Sequence, residues 1–226
     1  MRKQSILLAL CLAAMLSLGT IFPAALSESA PTATQTPIPL ATMMQRYQDV
    51  LEGKQPYIQC NTYDAVYTEA TLSNEITQWY GYEFETPMAF TAFCLTDLDA
   101  DGTPEIILKL SDDFGFELLR YENSAVYGFP FVARAMIDIT VNGDIYGSSG
   151  VSDNSWYQIR FHENRYEEIE TCRMQSNEAG GVQYFIGEKE VSQREYIAFC
   201  DGLLSKERPL WYEYTAENFK TFVSRF

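Results

Sequence analysis

The stretch FCLTDLDADGTPEIILKL, Phe93 to Leu110, decides how the chain is read. Two apolar runs flank a short acidic loop. Asp97, Asp99 and Asp101 occupy loop positions 1, 3 and 5, Gly102 position 6 and Glu105 position 9. A hard cation such as Ca²⁺ takes about six to eight oxygens at about 2.3–2.6 Å. Alternating Asp residues in a tight loop turn their carboxylates toward one centre, and Gly102 permits the sharp turn at positive φ. The Thr103 carbonyl then points inward, and Glu105 closes the shell directly or through water. Position 12 is Leu108 rather than a bidentate Glu, and β-rich flanks replace the helices of an EF-hand. The expectation is one structural Ca²⁺ in a strand–loop–strand site, bound at about 10⁻⁴–10⁻³ M. Mg²⁺ is disfavoured because it demands stricter octahedral geometry and keeps its waters. The competing reading is a solvated acidic turn, in which the Asp residues repel one another unrelieved.

Working outward, strands dominate from residue 88. MAFTAFCLT (88–96), EIILKL (105–110), FELLRY (116–121) and FVARAMIDIT (131–140) are apolar, β-rich and separated by turn residues. Asn142-Gly143 is the strongest hairpin signal, because both residue types tolerate positive φ. SWYQIRF (155–161) and RYEEIETC (165–172) flank a polar turn, and VQYFI (182–186) follows Gly180-Gly181. Helices close the two ends. ATMMQRYQDVLE (41–52) has helical spacing of Met44, Tyr47 and Leu51, and a second short helix is expected over 73–80, capped by Ser73 and ended by Gly81. Ser192 and Glu195 form a capping box before Tyr196, Phe199, Cys200 and Leu203. A last helix over 216–225 starts from Thr215 and turns Phe219, Phe222 and Val223 inward. The fold class is α+β, a mostly antiparallel sheet with N-terminal and C-terminal helices packed on it, in a single domain over 41–226.

The N-terminus reads as an export signal. Arg2 and Lys3 precede an uncharged apolar run from Ile6 to Phe22, and Ala24, Ala25 and Ser27 supply small residues. Residues 1–27 are read as a signal peptide cut after Ser27, and 28–40 as a Pro/Thr-rich linker. An uncleaved anchor is the competing reading. The location is then secreted or at the extracellular cell surface, with no membrane insertion after cleavage. Export permits disulfides. Cys60, Cys94, Cys172 and Cys200 nevertheless have no close spacing, and they are read as free, small apolar side chains.

Composition prunes the partners. The formal net charge is −15, which repels phosphate backbones and anionic membrane surfaces, so nucleic acid is excluded as a partner. Cations, proteins and surface glycans remain. With one His, His162, a multi-histidine zinc site is excluded. The chain lacks both G-x-x-x-x-G-K-S/T and G-x-G-x-x-G, leaving nucleotide chemistry unsupported. Asp138, Asp144, Asp153, Glu163 and Glu168 are candidate carboxylate pairs for a hydrolase, read first as surface charge in so acidic a chain. Tyr146, Trp156, Tyr157, Tyr166, Trp211, Tyr212 and Tyr214 are candidates for a binding platform, read first as packing. No catalytic residue is singled out.

The acidic loop resembles the calcium loops of integrin-type FG-GAP and VCBS repeats. Those recur many times in a propeller, whereas this chain carries one. It is more similar to a group of uncharacterised secreted or surface proteins of Firmicutes. These share a signal peptide, one loop of this type, and segments like LRYENSAVYGF (119–129), NGDIYGSSG (142–150) and VSQREYIAF (191–199). The similarity spans most of residues 72–215, with Ala100 standing where the group has Gly. It implies calcium binding, export and a shared fold, and it brings no activity. The combined expectation is an exported binding or interaction module, with a glycan or peptide hydrolase as the alternative.

Overall fold

The computed structural model describes residues 38–226 apart from 62–65, 73–75, 80–81, 163 and 178. Residues 1–27, read above as a signal peptide, and most of the 28–40 segment read as a linker lie outside the described residues. Helix α1 is Leu40–Leu51. The strands that follow are β1 (Tyr57–Asn61), β2 (Val66–Ala70), β3 (Ile76–Trp79), β4 (Tyr82–Met88), β5 (Phe90–Thr96), β6 (Glu105–Leu110), β7 (Gly115–Glu122) and β8 (Ala125–Val132). Next come β9 (Asp138–Ile139), β10 (Ile145–Ser148), β11 (Asn154–His162), β12 (Arg165–Ser176), β13 (Val182–Ile186), β14 (Lys189–Val191), α2 (Gln193–Leu204), β15 (Tyr212–Glu213) and α3 (Ala216–Val223).

The first sheet has the order β15-β5-β6-β7-β8-β1-β2, and the second the order β14-β13-β12-β11-β10-β9. All neighbours are antiparallel except β1 and β8. The architecture is the α+β class expected, with most of its residues in antiparallel strands. Strand β6 shows why the sheet is layered. Ile106, Leu108 and Leu110 join α1 and α3 in one core, while Ile107 joins a second core made with β9, β10 and β11. A strand covered on both faces carries a nearly continuous apolar run, which is what EIILKL is. A third cluster seats α2 against Trp156, Cys172, Tyr184 and Ile186 of the second sheet.

Three expectations need correction. Residues 76–79 of the expected second helix form strand β3, hairpinned to β4. A bulge between Ile76 and Gln78 lets Ile76 and Trp79 both be buried, so their three-residue spacing, which mimics a helix, is met by an irregular strand. Trp79 Nε1 donates to buried Glu117 at 2.9 Å, a tertiary bond that outweighs local preference. The expected strand 131–140 is broken: β8 ends at Val132 and β9 is only Asp138–Ile139. That strand, β8, itself starts at Ala125, and its Gly128 is needed because a Cβ there would lie 2.3 Å from the Tyr57 ring and 2.4 Å from Glu117 Oε1. The segment 88–96 is interrupted at Ala89, between β4 and β5. Both C-terminal helices form as read, α2 with its Ser192–Glu195 capping box and α3 with the Thr215 cap.

Candidate metal centre

The acidic loop joins β5 to β6, next to the core between the two sheets, and Leu98 is inserted into that core. The loop folds on its own side chains. Asp97 accepts the backbone N–H groups of Asp101 and Gly102 at 3.1 and 2.9 Å, and Asp101 accepts that of Thr103 at 2.7 Å. Gly102 has φ +87 with open space around its Cβ position, so its glycine serves backbone conformation alone. Ala100 is also left-handed, φ 57, where a Cβ costs roughly 1 kcal/mol. That explains why a Gly suits loop position 4.

Three neighbours hold the loop from outside. Tyr47 of α1 is fully buried; its hydroxyl donates to the Pro104 carbonyl at 3.2 Å and accepts the Tyr121 N–H at 2.9 Å. The tip of the β9–β10 hairpin presses on Leu98, and a Cβ on Gly143 would lie 2.0 Å from the Leu98 carbonyl oxygen. From β7, Arg120 enters with a side chain only 6% exposed. Its Nη1 donates to Glu105 Oε1 at 2.7 Å and to Asp99 Oδ2 at 3.4 Å, and its Nη2 to Asp101 Oδ2 at 2.7 Å. Phe161 of β11 lies under the guanidinium at 4.5 Å.

Among the described residues, one group of His, Cys, Asp and Glu side chains is placed to hold a metal: Asp97, Asp99 and Glu105, each offering an oxygen within 4.8 Å of the others. Oxygens on opposite sides of a Ca²⁺ stand about 4.8 Å apart, so the trio has the right size for a shell. Glu105 is wholly buried, with Oε2 taken by the Leu98 N–H at 2.9 Å. Asp101 stands outside the trio, turned to Arg120. Thr103 contributes its N–H to Asp101. The five expected ligands thus divide: three converge, one faces the arginine and one supports the loop.

Charge remains in excess. Three loop carboxylates, those of Asp99, Asp101 and Glu105, share one guanidinium, and Asp97 stands beside them with only backbone N–H donors. Burial raises the Glu105 carboxyl well above its usual range, against the Leu98 N–H and Arg120, which lower it. Asp99 is raised too, by burial first and by the Asp101 charge, with Arg120 and the backbone N–H groups of Phe161 and Asp101 opposing. Burial also works against the Arg120 charge, but Glu105, Asp101 and Asp99 outweigh it and hold the guanidinium above its ordinary value. One polar atom is left over. The Asp99 side chain is 8% exposed, and its Oδ1 is buried without a hydrogen-bond partner. A buried carboxylate oxygen without a partner is costly, and a cation at the trio would satisfy it.

Neither Arg120 nor Phe161 is singled out from sequence, and Tyr47 is marked there only as part of the apolar face of the first helix. The signal for Arg120 was present: a single cation inside the apolar strand FELLRY, which is buried only when paired. The other candidates are engaged elsewhere. Asp138 pairs with Arg208 at 2.6 Å. His162 is 43% exposed and 3.7 Å from Glu167. Tyr212 stacks on Phe93 and Tyr166 on Phe131, so most of the aromatic residues are packing, with Trp211 40% exposed. Glu163 lies outside the described residues. An open groove of about 530 Å³ is bordered by Asp153, Glu168, Glu170, Arg134 and Arg173. Desolvation raises the Glu168 carboxyl there, while Arg173 pairs with Glu170 and Arg134 donates to Ser148. Among the described residues, no helix is long and apolar enough to cross a membrane. No family model, curated protein or solved structure matches the chain.

Proposed function

We propose that the loop Asp97–Glu105 takes one structural Ca²⁺ in an exported domain that serves binding or interaction rather than catalysis. The observation that carries the metal reading is Asp99 Oδ1, a buried acceptor without a partner inside a carboxylate trio. Asp97, Asp99 and Glu105 would supply the first ligands, with Asp101 and the Thr103 carbonyl completing the shell. Calcium suits an all-oxygen donor set with no nitrogen or sulfur. The export reading rests on the basic, apolar and small-residue layout of 1–27, and the loop's resemblance to secreted Firmicutes proteins supports it.

The test is a thermal melt of the chain in excess chelator and in roughly 1–2 mM Ca²⁺, the extracellular regime. For a Kd of about 10⁻⁴ M the ion adds about 1.5 kcal/mol, a rise of a few degrees. The rise is expected in the wild type and absent in Asp99→Ala. A wild type that melts identically in both buffers would reduce the loop to an acidic turn. The hydrolase reading has its best location in the groove, where the Glu168 carboxyl is raised beside Asp153 and Glu170. Turnover of soluble glycans or peptides by the wild type, lost in Glu168→Gln, would replace the binding reading.

A further inference from the structure

The third apolar cluster contains two sulfurs. Cys172 lies on β12 and Cys200 on α2, and their Sγ atoms are 3.8 Å apart. Cys172 is fully buried, Cys200 partly so. Trp156, Tyr196 and Leu203 close over the pair, with Tyr146 and Tyr184 beside them. Cys60 and Cys94 belong to the other core, between the two sheets. The four thiols are therefore sorted by the fold into one facing pair and two embedded in a separate core, although sequence spacing gave no hint of pairing.

A disulfide needs its sulfurs at about 2.05 Å, so the pair must close by somewhat under 2 Å. Rotation about χ1 and a small shift of α2 supply that. The helix can shift because only Tyr196 and Leu203 of its residues are buried. We infer that Cys172 and Cys200 form a disulfide when the chain meets an oxidising environment, stapling α2 to β12. The co-reactant is a small-molecule disulfide. Cys200, the more exposed thiol, loses its proton and attacks one sulfur of the reagent, forming a mixed disulfide and releasing one thiol. Cys172 then loses its proton and attacks the Cys200 sulfur, releasing the second thiol. Two protein thiols are oxidised, one reagent disulfide is reduced, and both protons leave with the reagent thiols. Burial pushes the Cys172 thiol up to about 12, which makes the second step the slow one, offset by the proximity of the two sulfurs.

The test uses the reduced full-length chain treated with glutathione disulfide. The expected product is lighter by about 2 Da, two hydrogens. A non-reducing peptide map then joins the Cys172 peptide to the Cys200 peptide, and Cys60 and Cys94 are alkylated only after denaturation. The oxidised form melts about 5–10 °C above the reduced one. In Cys200→Ser the mass loss disappears. A lasting glutathione adduct on Cys200, a link to any other cysteine, or free thiols at 172 and 200 after treatment would overturn the bridge. None of these readouts depends on the metal loop.

Discussion

Among the described residues, Asp144 and the side chain of Asp99 are both largely removed from water, and the protein treats them differently. Asp144, 2% exposed, receives the Thr140 hydroxyl at 2.8 Å and the Lys206 ammonium at 2.7 Å on Oδ2, and the Gln158 amide at 3.1 Å on Oδ1. Both its oxygens have partners from the protein alone. Asp99 shares one arginine with two other loop carboxylates, at the long distance of 3.4 Å, and one of its oxygens has no partner. On the proposed reading, the contrast separates a buried charge that completes a fold from one that leaves an oxygen for a cation. Burial by itself distinguishes nothing; the count of acceptors against donors does.

Removing each cation tests the contrast directly. The largest effect belongs to Arg120→Met, which leaves the loop carboxylates buried together without compensation. In chelator it should cost about 3–5 kcal/mol. Much of that loss should return in Ca²⁺, with half-saturation at a lower concentration than in the wild type, read by melts across a calcium titration. Lys206→Met should cost about 2 kcal/mol, since Lys206 is itself partly exposed, and calcium should restore none of it. Equal calcium responses in the two variants would erase the distinction. Next is Ala100→Gly, expected to stabilise by about 1 kcal/mol in urea unfolding, because the left-handed backbone at position 100 is already set.

The smallest effect is alkaline and lies away from both aspartates. Burial, with Glu117 adding, pushes the Cys60 thiol up to about 12, and burial pushes Cys94 up as well. A raised folded-state value means that the unfolded chain releases these protons first. The neutral-thiol advantage is therefore whole below about pH 8.5 and is lost as pH climbs toward the folded values. Stability should fall by roughly 0.5 kcal/mol per thiol between pH 8 and 9, and the slope should shrink in Cys94→Ala.

The acidic loop was legible because its information is local. Position-by-position spacing of Asp97, Asp99 and Asp101, with Gly102 after them, specifies a turn before any tertiary contact forms. The two C-terminal helices were legible for the same reason, since Ser192, Glu195 and Thr215 mark their own starts. Turn chemistry located one hairpin, that of β9 and β10, without giving its backbone conformation. Asn142-Gly143 carries the stronger signal, yet there only Gly143 is left-handed, in a turn bounded by Thr140 and Asp144. The two-residue loop with both residues at positive φ is Asn123-Ser124, between β7 and β8. What stayed illegible was set at long range. Arg120 meets the loop across the sheet, Trp79 answers to Glu117, and Cys172 faces Cys200 only once α2 has docked.

The parallel pairing of β1 with β8 also has a temporal consequence. Strands β5 to β8 follow one another as antiparallel neighbours, each closed by a short connection. Strand β1 joins them only by bringing Ile58 to Tyr127, a long closure whose entropy must be met before the contact is rewarded. The hairpins that build the loop and deliver Arg120 should therefore assemble early, and β1 late. If the loop takes calcium as proposed, calcium sensitivity in refolding is expected to emerge before the parallel pair closes, so that the ion meets a nucleus and not a finished protein.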